Sequence, residues 1–263
     1  MIGAADWDMH WRWEIFRRSC DPLDVRKWKR DSSAALWSLL GKPGARLLDS
    51  TCGLGDHTIN LRDVGFEVEG CDASPYAIEL AARNIANAGL EVPLFVSRWQ
   101  DLGKREARYD VIFNDVIHWI YDPKELREAA KGLHDALVPG GSLVFFFADG
   151  REPAAAAGLK ILEWDWEHMS RTELAWEHEK DGTRVSLALL NERGDDFIDQ
   201  HHFYVVRERE ETRLESFTMR RVYRWDFHAL SRALEDVGFT DITSHAFRNI
   251  KGYDYALNLA RRK

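Results

Sequence analysis

Leu47-Leu48-Asp49-Ser50-Thr51-Cys52-Gly53-Leu54-Gly55-Asp56 reads as a buried strand ending in a carboxylate, a glycine turn, and a polar residue that opens a helix. About 20 residues further on, Val68-Glu69-Gly70-Cys71-Asp72 supplies a second strand that also ends in an acid. The glycines let backbone approach a ligand closely, because no Cβ stands in the way. An acid at the second strand tip accepts hydrogen bonds from ribose hydroxyls. Two parallel strands with such tips are expected to hold an adenosine-containing cofactor.

The glycine pattern separates two kinds of adenosine site. A dinucleotide site sets a pyrophosphate on a helix N-terminus and uses G-x-G-x-x-G. Here only Gly53 and Gly55 are present, and Thr58 occupies the third glycine position. Asp56 at the helix start repels a pyrophosphate, whereas Asp49 suits a cofactor that bears an ammonium group. This combination resembles the class I S-adenosylmethionine-dependent methyltransferases, whose first motif is an acid followed by a glycine-rich turn. Thr51 stands where members usually carry a small residue. The resemblance implies an α/β fold: a doubly wound, Rossmann-like sheet of seven strands, the last antiparallel, that binds S-adenosyl-L-methionine.

Four segments between residues 47 and 148 carry the resemblance, each at the C-terminal end of a strand, where doubly wound sheets bind ligands. It implies that Asp49, Cys52, Gly53 and Gly55 surround the methionine moiety. It places Asp72 on the ribose, with Ala73 and Ser74 beside the adenine. In the third segment, Ser97-Arg98-Trp99-Gln100-Asp101-Leu102, Arg98 stands at a position that is commonly polar, and Trp99 can cover an adenine face by offset stacking. In the fourth, Asn114-Asp115-Val116-Ile117-His118-Trp119, Asn114 is expected near the sulfonium, with Asp115 and His118 as catalytic candidates on the substrate side. A buried structural histidine is the plainer explanation of His118 taken alone.

Composition narrows the function further. At 263 residues, with 45% hydrophobic and 30% charged residues, the chain has the make-up of a globular protein with a sizeable core. A net charge of −8 argues against nucleic acid and anionic membranes as partners. Three cysteines, an odd number, point to a reducing, cytoplasmic setting. No apolar stretch marks a leader peptide in residues 1–14 or a membrane span elsewhere. The absence of H-E-x-x-H and C-x-x-C patterns predicts no metal site.

Periodicity and punctuation predict a helix over 22–40, then alternating strands and helices. Strands fall at 46–49, 66–71, 93–97, 110–114 and 142–147; helices fall at 56–64, from the cap Ser74-Pro75 to Ala88-Gly89, and at 123–137. From 172 to 224 the pattern becomes period-two, with hairpin signals at Asp181-Gly182 and Arg193-Gly194-Asp195. An inserted antiparallel sheet of about four strands is expected there. A helix over 226–237 and strands over 239–247 and 253–261 close the chain. The expected division is a helical cover (1–40), a cofactor-binding core (41–150), an inserted lid (151–225) and a return to the core sheet (226–263), with 154–157 as a loose connector.

Eleven tryptophans are many for this length. Trp7, Trp11, Trp13 and Trp28 crowd the start, and Trp164, Trp166 and Trp176 lie near the insertion. Most should be packing residues; a cage for a cationic amine is the functional alternative. Arg12, Arg17, Arg18, Arg26, Lys27, Lys29 and Arg30 form a basic region, either a solvated helix face or the source of one contact to the cofactor carboxylate.

Within the family, the layout resembles that of glycine and sarcosine N-methyltransferases, through Cys-Gly-x-Gly at 52–55, Asp-Ala-Ser at 72–74 and Trp99. Arg184, Arg207, Arg220 and Arg224 are candidate clamps for an acceptor carboxylate. Three readings stay open: methyl transfer to a small amine, foremost of an amino acid or related metabolite; transfer to oxygen of a small carboxylic acid or hydroxyl compound; and a non-catalytic cofactor binder or RNA modifier. Whether the chain forms a homo-oligomer is left open.

Overall fold

The computed structural model describes residues 4–21, 25–147, 158–248 and 254–263. The connector expected at 154–157, and the side chains of Arg26, Lys27 and Trp28, lie outside the described residues. The chain divides into two compact units, Met1–Leu23 with Gly158–Arg224, and Asp24–Ala157 with Trp225–Lys263.

The second unit is built on a seven-stranded sheet. Its strands are β1 (Arg46–Asp49), β2 (Glu67–Asp72), β3 (Leu94–Val96), β4 (Tyr109–Asn114), β5 (Leu137–Phe147), β10 (Phe239–Arg248) and β11 (Asp254–Arg262). They run in the order β10-β11-β5-β4-β1-β2-β3. β1 pairs in parallel with both β2 and β4, β2 with β3, and β4 with β5. β11 inserts antiparallel between β5 and β10. The strand order therefore reverses at β1, and ligands bind in such sheets where the order reverses. One sheet face packs Leu36, Leu47, Leu61, Phe66, Val68, Val111, Phe113, Val144 and Leu257 into a buried cluster.

Helices α2 (Val25–Leu40), α3 (Asp56–Asp63), α4 (Pro75–Asn87), α5 (Pro123–Ala136) and α7 (Phe227–Glu235) belong to this unit. Their starts are written in the sequence. Ser74 Oγ accepts from Ala77 N–H at 2.9 Å with proline next to it, and Asp122 and Asp226 cap α5 and α7 in the same way. One boundary differs from expectation. β5 begins at Leu137, immediately after α5, and runs through Pro139-Gly140-Gly141. The glycines interrupt pairing with β4, whose register shifts between Tyr109 and Val111, without ending the strand.

The first unit holds α1 (Ala4–Cys20), α6 (Gly158–His168) and a four-stranded antiparallel sheet in sequential order. Its strands are β6 (Thr172–Lys180), β7 (Thr183–Arg193), β8 (Phe197–Glu208) and β9 (Glu211–Val222). Asp181 and Gly182 have φ of 52° and 79°, the two left-handed residues that a tight hairpin between β6 and β7 requires. Helix α6 carries no sequence signal as clear as those of α4 or α5. It forms because Leu162 and Trp166 pack with Ile198 and Tyr223.

α5 contains Gly132, a residue that weakens an isolated helix. A Cβ there would lie 2.0 Å from the carbonyl oxygen of Trp99. The glycine lets α5 press against the short 3-10 helix Trp99–Lys104 and so hold Trp99 in place. Gly132→Ala should overpack this contact and lower stability by about 1–3 kcal/mol. Urea unfolding monitored by circular dichroism checks this; a midpoint at or above that of the wild type would contradict it.

Candidate active site

The four segments singled out in the sequence meet at the carboxyl ends of β1, β2, β3 and β4. Ser50, 1% exposed, follows β1 and connects them. Its hydroxyl donates to the carbonyl of Phe113 in β4 at 2.8 Å and accepts from Asn114 Nδ2 at 3.0 Å. Its own carbonyl accepts the indole N–H of Trp99 at 2.7 Å. Residues 49, 99 and 114 are thereby held in one hydrogen-bonded edge, and Asp72 joins it through the glycine turn.

Asp72 ends β2 and reaches back across that turn. Its carboxylate accepts from Gly53 N–H at 3.1 Å and Ser74 N–H at 2.9 Å. Each carboxylate oxygen keeps a further lone pair. Burial raises the Asp72 carboxyl above its ordinary range, with these N–H groups acting in the opposite direction. Gly53 and Gly55 have φ of 50° and 85°, which an L side chain rarely adopts. Beneath the turn, a Cβ on Gly70 would meet Leu94 Cδ2 at 2.7 Å, so the backbone of β2 lies close under β3. Open glycine backbone, a carboxylate with spare acceptors and the switch-point location fit the ribose and amino-acid ends of S-adenosylmethionine.

Asp49 is fully buried. It accepts from Thr58 Oγ1 at 2.7 Å and from Thr51 N–H at 3.3 Å. Burial pushes its carboxyl up to about 7 despite the Thr58 hydrogen bond. Cys52 is buried, and burial raises its thiol above the ordinary range. Ser74 is fully buried with its hydroxyl on the α4 cap, so it shapes the turn from within. Ala73 and Arg98 are exposed, and Arg98 N-caps the 3-10 helix without a side-chain cap bond. Trp99 is half-buried, its indole N–H directed at Ser50.

Asn114 is fully buried, and its side-chain oxygen also accepts from Val116 N–H at 3.1 Å. Asp115 is half-buried, and its backbone N–H donates to Thr51 Oγ1 at 3.3 Å. Burial raises its carboxyl, with the Lys29 ammonium opposing. The ring of His118 packs 5.2 Å from that of Phe147. Its Nδ1 is buried without a hydrogen bond, and burial lowers the imidazole to about 4. His118 is thus neutral near neutral pH and a weak base, while Asp115 has the raised basicity of a half-buried carboxylate.

Four contributors escaped the sequence reading. His57, on the first turn of α3, is 4% exposed and packs 4.8 Å from the ring of Phe113. Its Nε2 stands 3.7 Å from Asp115 Oδ2, and burial lowers it well below its ordinary value. Ser50 is assigned no role in the sequence and Thr58 reads only as a missing glycine, yet they fix the edge and the buried acid. Val96, half exposed at the tip of β3, pairs in register with Asp72 and offers apolar surface beside it. An apolar residue that ends a strand next to a ligand-type acid was the available signal. Lys29 appeared only within the basic region, but its charge acts on Asp49, His57 and Asp115 together.

Comparison with known proteins agrees with this fold. Residues 47–141 match the methyltransferase domain family. An uncharacterized methyltransferase of Synechocystis sp. is 30% identical over 190 residues, which span 71% of this chain and 79% of that protein. A ubiquinone biosynthesis O-methyltransferase of Cereibacter sphaeroides is 30% identical over 122 residues, 46% of this chain and 48% of its own length. A solved S-adenosylmethionine-bound amino pentose methyltransferase of Micromonospora echinaspora shares the fold with a TM-score of 0.64 at 17% identity, covering 96% of this chain and 97% of that one. The chain belongs to the methyltransferases, and within them to the class I, S-adenosylmethionine-dependent enzymes. None of these three is a glycine or sarcosine methyltransferase. No helix among the described residues is long and apolar enough to cross a membrane.

The buried acid has a consequence for stability. The unfolded chain releases the Asp49 proton near its ordinary value of 3.8, whereas the folded, ligand-free protein holds it to about 7. The folded state binds more protons in this window, so stability falls as pH rises through it and is level above. Asp49→Asn removes the effect, and its amide can still bond Thr58. The variant should gain on the wild type from about pH 4 to about pH 7, by a few kcal/mol at most at ~1.4 kcal/mol per unit. Thermal melts of both proteins across this range check it; parallel curves would contradict the assignment.

Proposed function

We propose that this methyltransferase acts on the amine of a small metabolite, with Asp115 as the group that takes the proton from the incoming ammonium. The observation that carries this reading is the set of carboxylates at adjoining strand ends, Asp49, Asp72 and Asp115. Asp49 is fully buried and Asp72 is held by the N–H groups of Gly53 and Ser74, whereas Asp115 is half-buried with a raised carboxyl and faces the neutral ring of His57. A negative edge attracts cationic groups. S-adenosylmethionine, when bound, supplies a methyl group on an electrophilic sulfonium.

An ammonium cannot attack, because its nitrogen lone pair holds a proton. Transfer of that proton to Asp115 leaves a neutral amine, which forms the new C–N bond as the C–S bond breaks. The chain's further contribution is alignment, since a fixed near-attack arrangement supplies much of the rate. Asn114 and Trp99, both hydrogen-bonded to Ser50, provide the rigid frame for this. In the cofactor roles the resemblance implies, Asp72 accepts from the ribose hydroxyls, Trp99 covers the adenine and the Gly53–Gly55 turn passes the methionine end; Val96, in register with Asp72, adds apolar surface beside them.

Three of the four arginine candidates are engaged; the fourth, Arg207, is exposed and has no ion pair among the described residues. Arg184 pairs with Glu177 at 3.1 Å, Arg220 with Asp199 at 2.6 Å and Arg224 with Asp196 at 3.5 Å. These guanidinium groups are already engaged and supply no ready clamp for an amino acid. Transfer to oxygen is the second reading, favoured by the likeness to the ubiquinone biosynthesis O-methyltransferase.

Incubation with methyl-labelled S-adenosylmethionine and separate pools of amines, phenols and carboxylic acids decides between them. Label in a base-stable C–N product is expected; label confined to ethers or esters would overturn the amine reading. With the accepted substrate, Asp115→Asn should lower kcat by about 10²–10⁴ with the cofactor Kd little changed. Asp72→Ala should weaken cofactor binding more than about tenfold, as expected when a charged acceptor of hydrogen bonds is lost. Unchanged affinity by calorimetry would remove Asp72 from the site.

A further inference from the structure

The tryptophan-rich start of the chain packs, within the first unit, against one face of the four-stranded sheet. The indole N–H of Trp13 in α1 donates to Glu215 in β9 at 2.8 Å. The His10 ring lies 4.9 Å from Trp11, 6.1 Å from Phe217 and 6.5 Å from His202. His202 stacks on Phe217 at 4.6 Å. In this aromatic setting three polar atoms are buried without a hydrogen bond: His10 Nδ1, Trp11 Nε1 and His202 Nδ1. Buried polar groups in native proteins are normally paired, and unpaired ones call for a partner.

The hydrogen-bond chain behind His202 determines what it offers. The carbonyl of Ser170 can only accept, so Asn191 turns its amide nitrogen to it at 2.8 Å. The Asn191 oxygen then accepts from Gln200 Nε2 at 3.1 Å. Gln200 is left presenting its oxygen to His202 Nε2 at 3.0 Å. His202 therefore carries its proton on Nε2, and Nδ1 is a bare acceptor. The side chain is 6% exposed, and burial keeps the ring neutral, lowering it to about 4. Trp11 offers the opposite, a lone N–H donor.

The surrounding charges are already matched. Glu14 binds Arg17 at 2.7 Å and Arg18 at 2.8 Å. Glu215 binds Arg213 at 2.9 Å and lies 3.9 Å from Arg12. None of these cations is left to neutralise an anionic ligand. Aromatic faces attract ammonium groups. A compound with many hydroxyls would bring more hydrogen-bonding groups than three atoms can satisfy.

We propose that His10, Trp11 and His202 form a binding site for a small amino alcohol, whose N–H or O–H donates to His202 Nδ1 and whose oxygen accepts from Trp11. The binding site lies within the first unit and does not rest on the amine reading above.

The test uses the full chain and trans-4-aminocyclohexanol as probe, with cyclohexanecarboxylate as the anionic control, followed by ligand-observed NMR titration. The probe should bind the wild type, and the control should not. His202→Phe keeps the ring and removes the acceptor, and Trp11→Phe removes the donor. Each should weaken probe binding at least about tenfold while leaving S-adenosylmethionine affinity unchanged. Probe binding that survives both substitutions would overturn the proposal. So would failure of the wild type to bind the probe; a higher Tm for His202→Phe would then make the unpaired atoms a packing defect. Label found only on oxygen in the previous experiment would remove the amine reading and leave this result standing.

Discussion

Ser50 bonds at once to β4 and Asn114 through its hydroxyl and to Trp99 through its backbone carbonyl, and the geometry of the cofactor edge depends on this residue. It is buried, so its hydroxyl has no water to fall back on, and each of its bonds carries the penalty of leaving a buried group unpaired. That penalty makes the edge rigid. Strand ends are ordinarily where sheets loosen; here β1 and β4 continue their contact past the ladder through Ser50 N–H to Phe113 O at 2.9 Å. The Trp99 segment is pressed on from the other side by α5, which can approach because residue 132 has no Cβ.

On this rigid frame the acids differ through their surroundings. Asp49 has no exposure and a single hydroxyl partner, so desolvation dominates and the proton is retained. Asp72 is compensated by two backbone N–H groups. Asp115 has Lys29 and Thr51 opposing its burial, and the neutral ring of His57 stands near it. Asp49 thus holds its proton far beyond the ordinary carboxyl range, while backbone N–H groups oppose the rise at Asp72 and the Lys29 ammonium opposes it at Asp115.

The four-stranded sheet shows a different physical economy. Its strands are long and sequentially paired, so register follows from the hairpins alone. One face alternates Val185, Leu187 and Leu189 with exposed or half-buried partners, yet the same inward row contains Asn191 and His202. Polar side chains in an inward row are costly unless paired. Asn191 is paired through Ser170 and Gln200; His202 is paired on one nitrogen only, and that asymmetry singles it out.

The alternation of strands and helices, the cap at Ser74 and the hairpin at Asp181-Gly182 were legible in the sequence, because each depends on local backbone preference or on short-range periodicity. So was the acid–glycine–acid spacing that identifies the cofactor half. The partners of those acids were not legible. Thr58 on Asp49, Ser50 on Trp99 and Asn114, and His57 beside Asp115 join residues that only the crossing of β1, β4 and α3 brings together. Whether an acid keeps its proton depends on burial, and whether a histidine nitrogen is bare depends on a chain of amides running back to Ser170. Both are set by contacts distant in sequence, and the fold alone decides them.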